Sequence, residues 1–106
     1  MAYDGTLVLE HLARTHKTSL ITDREKHLIG LAVTITRGCQ VCTRGRIEKA
    51  RAAGLDDNLL NALVDLVSSI NAGVAAATAR EAFRMADVSS AEACGTLCSP
   101  EASTGR

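Results

Sequence analysis

Residues 22–46 read TDREKHLIGLAVTITRGCQVCTRGR and carry the signals that decide the fold. Thr22 and Glu25 have the spacing of a capping box, in which the threonine hydroxyl and the glutamate carboxylate bind free backbone N–H groups at a helix start. Residues 28–35 are apolar almost all round a helix, which is typical of a helix buried on most sides. Gly38 can end this helix in the left-handed conformation. The stretch therefore predicts a buried helix that begins after Thr22 and stops at Gly38.

Helical signals continue on both sides of this stretch, and no alternating strand pattern interrupts them. Asp56 or Asp57 can cap a helix further along the chain, and the sequence around Ser68 to Gly73 indicates a break after it. The predicted helices, in chain order, span residues 7–16, 22–38, 39–53, 57–70 and 73–86. We therefore expect an all-α bundle of about five helices.

The end of the chain differs in composition from the helices. Beyond Asp87 it is rich in Ser, Ala, Gly and Thr and contains the only proline. Such a composition buries too little apolar surface to offset the entropy lost on ordering. We predict one helical domain at residues 1–88 and a flexible tail at residues 89–106. The tail thiols, Cys94 and Cys98, are interpreted as incidental, with a resolving or metal-binding role as the alternative.

The overall composition limits the classes of function. A chain of 106 residues has room for one domain with a modest core. Lys plus Arg and Asp plus Glu both number 12, so no excess charge favours nucleic acid or an anionic membrane as a partner. Apolar residues make up 46% of the chain and aromatic residues only 2%, which suits closely packed helices. Because the N-terminus lacks the features of a secretory signal, we expect a cytoplasmic protein.

Cys39 and Cys42 form a Cys-x-x-Cys pair at the predicted start of a helix. One helical turn separates them on one face, close enough for a disulfide. The free N–H groups at a helix N-terminus stabilise a thiolate and lower the pKa of the thiol, which favours Cys39 as the more acidic cysteine. Arg37 and Arg46 add positive charge nearby in the sequence. The pair predicts redox chemistry, with metal binding or two inert buried thiols as the alternatives.

The residues HLIGLAVTITRGCQVC, which begin at His27, and EKARAAG, which begins at Glu48, resemble the carboxymuconolactone decarboxylase and alkylhydroperoxidase D family. The similarity extends roughly over residues 22–86. It implies an all-helical fold that assembles into homotrimers or homohexamers. For members with both cysteines it implies a thiol-dependent peroxidase or disulfide reductase that needs no cofactor. A peroxide or disulfide would then be the substrate, and a thiol–disulfide protein or a small thiol would donate the electrons.

The resemblance also implies roles for four residues. Cys42 would be the attacking thiol and Cys39 its resolving partner. Redox members of the family place a Glu and a His in a proton relay where this chain has His27 and Arg46. His27 can still act as a general base near neutral pH, although a packing role is equally compatible with its helix. Arg46 cannot move protons and is expected to hold a thiolate or an anionic substrate by charge.

Three hypotheses about function follow. The first is a cytoplasmic thiol oxidoreductase that cycles Cys39 and Cys42 between dithiol and disulfide. The second is a non-catalytic oligomeric binding or scaffold protein of the same fold. The third is a binder of a metal or soft ion that uses the cysteine pair with His27 or with the tail thiols.

Overall fold

The computed structural model describes the backbone of residues 1–91 and the side chains of residues 1–88. This part of the chain contains four helices and no strand, which confirms the predicted all-α fold. In chain order the helices are α1 (Thr6–Thr15), α2 (Asp23–Arg37), α3 (Gln40–Ala52) and α4 (Asp57–Ala91). The predicted tail thiols, Cys94 and Cys98, lie outside the described residues. The described chain divides into two units, one of residues 1–67 and one that begins at Ser68.

Local signals set both ends of α2. The Glu25 backbone N–H donates to the Thr22 hydroxyl at 3.1 Å, and the Thr22 N–H donates to a Glu25 carboxylate oxygen at 2.9 Å. These hydrogen bonds complete the predicted capping box. The bonds from Thr22 also lower the pKa of Glu25, because they stabilise its charged form. Gly38 ends α2 at φ 77°, where a residue with a side chain would be strained.

Helices α2 and α3 pack against each other as a hairpin, joined through Gly38 and Cys39. The core of the first unit is small and aliphatic, as the scarcity of aromatic residues predicts. Its buried members come from three helices and the connection after α3: Leu31, Ala50, Leu55 and Leu60. Five half-buried side chains pack around them: Leu28, Ile35, Ile47, Leu59 and Leu63. Leu31 is fully buried, so this hairpin holds the centre of the core.

The turn after α3 fixes the start of α4. Gly54 adopts φ 92°, in the left-handed region that favours glycine. Asp56 then caps α4 by accepting the Leu59 N–H at 2.9 Å. The Arg51 guanidinium donates two hydrogen bonds to the Asp57 carboxylate, at 2.9 and 3.1 Å. These contacts tie the end of α3 to the beginning of α4.

The predicted break at residues 68–73 is wrong, because the predicted fourth and fifth helices form the single helix α4. Gly73 has its Cβ direction open to space and stays within the helix. A glycine inside a helix lowers the stability of the helix by about 1 kcal/mol relative to alanine. The alanine-rich sequence around Gly73 favours the helix and offsets this loss. Residues Asp57–Val88 of α4 are long and apolar enough to cross a membrane by composition alone. Core helices of soluble proteins meet the same criterion of length and composition.

Candidate redox site

Cys39 and Cys42 are joined as a disulfide at the first turn of α3. Their Cα atoms lie 5.3 Å apart, within the range that a disulfide spans. Cys39 is the N-cap of α3, and its sulfur accepts a hydrogen bond from the Cys42 backbone N–H at 3.2 Å. The pair therefore lies where the sequence predicts, at a helix N-terminus with unpaired backbone donors.

The two sulfur-bearing residues differ in exposure. Cys42 is exposed and Cys39 is half-buried. Val41 between them is 70% exposed, so this turn of α3 faces outward in the described chain. The first turn of α3 contains no acidic residue. A negative charge on either sulfur would thus meet helix N–H groups and no carboxylate from that turn.

His27 and Arg46 form a second group in the first unit. Both are half-buried, and both line a cleft of about 620 Å³ between α1, α2 and α3. Neither cysteine lines this cleft. Within the described side chains, neither His27 nor Arg46 makes a hydrogen bond or ion pair with the cysteines. The structure thus brings the four predicted residues together as two pairs, and their catalytic roles stay predictions.

The sequence reasoning did not identify Gly30 as part of this region. Gly30 is buried in α2, and a Cβ placed on it would lie 2.6 Å from the Cζ atom of Arg46. The guanidinium therefore occupies the space that a side chain at residue 30 would fill. A glycine in the middle of a helix often marks such a close approach, and this signal was present in the sequence.

The described part of the chain contains no assembled set of metal ligands. No three His, Cys, Asp or Glu side chains there are grouped as metal ligands would be. The predicted metal alternative also used the tail thiols, which lie beyond the described residues.

A helical hairpin with a Cys-x-x-Cys pair at the start of its second helix defines a class of all-α proteins compatible with redox function. The sequence model of the carboxymuconolactone decarboxylase family matches residues 6–85 of this chain. The chain belongs to that family, which confirms the resemblance found in residues 22–86 and extends it to α1. Comparisons with curated proteins and with solved structures give no significant match.

Proposed function

We propose that the protein is a thiol-dependent oxidoreductase that uses Cys39 and Cys42 as its redox pair. The observation that carries the proposal is the disulfide-forming pair in the first turn of α3, with a backbone N–H donated to the Cys39 sulfur. Membership of the carboxymuconolactone decarboxylase family is compatible with it, since the resemblance implies redox activity for members with both cysteines. In the working cycle the dithiol supplies two electrons to an oxidised substrate and becomes a disulfide.

The difference in exposure supports Cys42 as the attacking thiol. Its thiolate would attack a substrate disulfide, form a mixed disulfide and release one substrate thiolate. Cys39 would then attack the Cys42 sulfur, so that the second substrate thiolate leaves and the internal disulfide forms. A donor thiolate resets the protein by attacking the exposed Cys42 sulfur, and Cys39 leaves as a thiolate that the helix N-terminus stabilises. A second donor thiolate then attacks the donor sulfur of this mixed disulfide, which releases the donor disulfide and the Cys42 thiolate.

This cycle reconciles the two assignments that the sequence left open. The family resemblance makes Cys42 the attacking thiol, whereas the helix N-terminus favours the anion at Cys39. Cys42 attacks the substrate, whereas the stabilised anion at Cys39 matters when Cys39 is the leaving group during reset. A thiol with a low pKa leaves faster, so the N-cap position is suited to the resolving cysteine.

The positions of His27 and Arg46, in a cleft that neither cysteine lines, favour disulfide substrates over peroxides. A thiolate leaving group needs no proton, whereas cleavage of a peroxide O–O bond releases a strongly basic oxygen that must gain one. Arg46 stays protonated and cannot deliver it, and His27 makes no hydrogen bond to either cysteine in the described structure. We therefore propose disulfide reduction as the main reaction, with His27 as the remaining candidate for proton transfer.

Self-association and a cytoplasmic location belong to the same proposal. Several large apolar side chains of the first unit are more than half exposed: Leu7, Val8, Ile29 and Val33. In the second unit, Val74 is 60% and Phe83 is 73% exposed. Exposed apolar surface of this extent is typical of an association interface. A homotrimer or homohexamer would cover it, and light scattering of the purified protein measures the assembly.

The decisive experiment compares Cys39→Ser and Cys42→Ser with the protein in which the pair is intact, and all three carry Cys94→Ser and Cys98→Ser. Reduction of a small disulfide and of hydrogen peroxide is measured with a thiol donor. We expect both variants to lose disulfide reduction, and mass spectrometry to find the wild-type bond between residues 39 and 42. The Cys39→Ser variant should accumulate a mixed disulfide at Cys42. Full activity in both variants would exclude the proposed mechanism, whereas no activity in the protein with the intact pair would favour the non-catalytic binding protein.

A further inference from the structure

The cleft that holds His27 and Arg46 is built from apolar and basic side chains. Its volume of about 620 Å³ is within the usual range for small-molecule sites. A second cavity of about 300 Å³ shares Leu12, His16, Lys26 and Arg46 with it, so the two adjoin beneath α1. The apolar part of the larger cleft comes mainly from Leu9, Leu12 and Leu55.

Positive charge is concentrated in this cleft although the chain has no net charge. Arg24, Arg46 and Lys49 line it, together with two histidines. The only carboxylate in its described lining is Asp23, which is 3.6 Å from the Lys26 ammonium group. The three other cations therefore lack a carboxylate partner within the cleft. An anion is the ligand that such a lining favours.

Arg46 is the group best placed to bind that anion. Arg46 is half-buried as a residue, and its guanidinium lies over Gly30. It makes no hydrogen bond or ion pair with any described residue. A guanidinium has five N–H donors, and removing them from water without an acceptor is unfavourable. A carboxylate can accept two parallel hydrogen bonds from this fork, which is among the stronger pairings available to an arginine.

We infer that the cleft binds an amphipathic monocarboxylate, with the carboxylate on Arg46 and the apolar chain against Leu9, Leu12 and Leu55. The donors here belong to the Arg46 guanidinium, which favours a carboxylate; a phosphate is more typically bound by the backbone N–H groups of a helix N-terminus. The first turn of α2 borders the cleft, but its capping box already occupies the Glu25 backbone N–H. The inference goes beyond the proposed redox function, because neither cysteine lines the cleft.

The test uses octanoate and octanol as probes, which share an apolar chain and differ in charge. Calorimetric titration of the full-length protein gives the affinity and stoichiometry. We compare the wild type with Arg46→Gln and with Arg44→Gln, a matched control that removes the same charge from an exposed residue of α3 outside the cleft. Gly30→Ala is the second test variant. It keeps every charge but places a methyl group where the guanidinium lies. The atoms that must move are the end of the flexible Arg46 side chain, and alanine is the better helix former, so we expect the fold to be retained.

We expect octanoate to bind at one site per chain and octanol to bind at least tenfold more weakly. Arg46→Gln and Gly30→Ala should each weaken octanoate binding about tenfold, the usual effect of losing one charge-assisted hydrogen bond. Arg44→Gln and Cys39→Ser should stay within about twofold of the wild type. Equal affinity for octanoate and octanol, an equal loss in Arg44→Gln, or no saturable binding would each overturn the inference. Because Cys39→Ser is expected to abolish redox turnover and to leave this binding intact, the two proposals fail independently.

Discussion

Replacing Cys39 by serine or by alanine should have opposite effects on stability once the protein is reduced. Cys39 is the N-cap of α3, and its sulfur accepts the Cys42 N–H at 3.2 Å. Sulfur is a weak acceptor, whereas the serine hydroxyl is among the preferred N-cap acceptors. Alanine offers no acceptor and leaves that N–H without an intrahelical partner. The serine variant should therefore be more stable than the alanine variant by about 1 kcal/mol, with reduced wild type between them.

Cys42 provides the matched control, because it lies inside the first turn of α3 and caps nothing. Alanine there has a helix propensity better than that of serine by a few tenths of a kcal/mol. At residue 42 the serine variant should thus be slightly less stable than the alanine variant, whereas at residue 39 it should be more stable. This reversal separates a capping effect from any general preference for a polar side chain at an exposed turn.

Urea unfolding followed by far-UV circular dichroism measures these differences. All variants are compared in excess reductant and at one protein concentration, since association would shift the apparent stability. For an m value of about 1–2 kcal/mol/M, the two Cys39 variants should differ in midpoint by roughly 0.5–1 M. Identical midpoints for Cys39→Ser and Cys39→Ala would show that residue 39 does not cap α3 in the dithiol form. The stabilised Cys39 leaving group proposed above would then lose its structural basis.

Two further predictions concern the core and the α3–α4 connection. Leu31→Ala should lower the free energy of unfolding by about 2–5 kcal/mol, because Leu31 is fully buried. Val33→Ala is the control, since Val33 is on the same helix and is 54% exposed. It should lower the free energy of unfolding by well under half as much in the same urea titration. The hydrogen bonds and charge of Arg51 lower the pKa of Asp57 in the folded protein. This contribution is present above the unfolded carboxyl pKa of about 4 and is lost as the pH falls through the depressed folded value. The stability difference between wild type and Asp57→Asn should therefore be larger at neutral pH than at roughly pH 3, and a difference that grows on acidification would contradict the assignment.

The parts of the fold that were predicted correctly depend on local signals. The capping box at Thr22, the left-handed Gly38 and the N-terminal position of Cys39 each follow from a few adjacent residues. The break predicted near Gly73 failed because a glycine raises the free energy of a helix without ending it, and α4 continues through it. Helix ends with a specific capping group can thus be read from sequence, whereas an interruption inferred from propensity alone is less certain.

The candidate site was predictable to the same extent. Cys39 and Cys42 are close because one helical turn separates them, a relation that depends only on local geometry. His27 and Arg46 line the same cleft because α2 and α3 form a hairpin, which the short connection at Gly38 indicates. The cleft itself needs α1, whose placement involves residues distant in sequence. No spacing rule reveals it.

The direction of the Arg46 side chain decides whether its positive charge acts on the cysteine sulfurs or on the cleft that it shares with His27. Sequence spacing places residue 46 one turn beyond Cys42, which predicts a charge beside the sulfurs. The guanidinium instead lies over Gly30, eight residues before Gly38 and so about 12 Å along the α2 axis from the connection to α3. The group in contact with the Cys39 sulfur is then the Cys42 backbone N–H, at 3.2 Å. Because Coulomb energy varies as the inverse of distance, a more distant guanidinium stabilises a thiolate less. Gly30 thus leaves thiolate stabilisation mainly to the α3 N-terminus and directs the positive charge of Arg46 into the cleft.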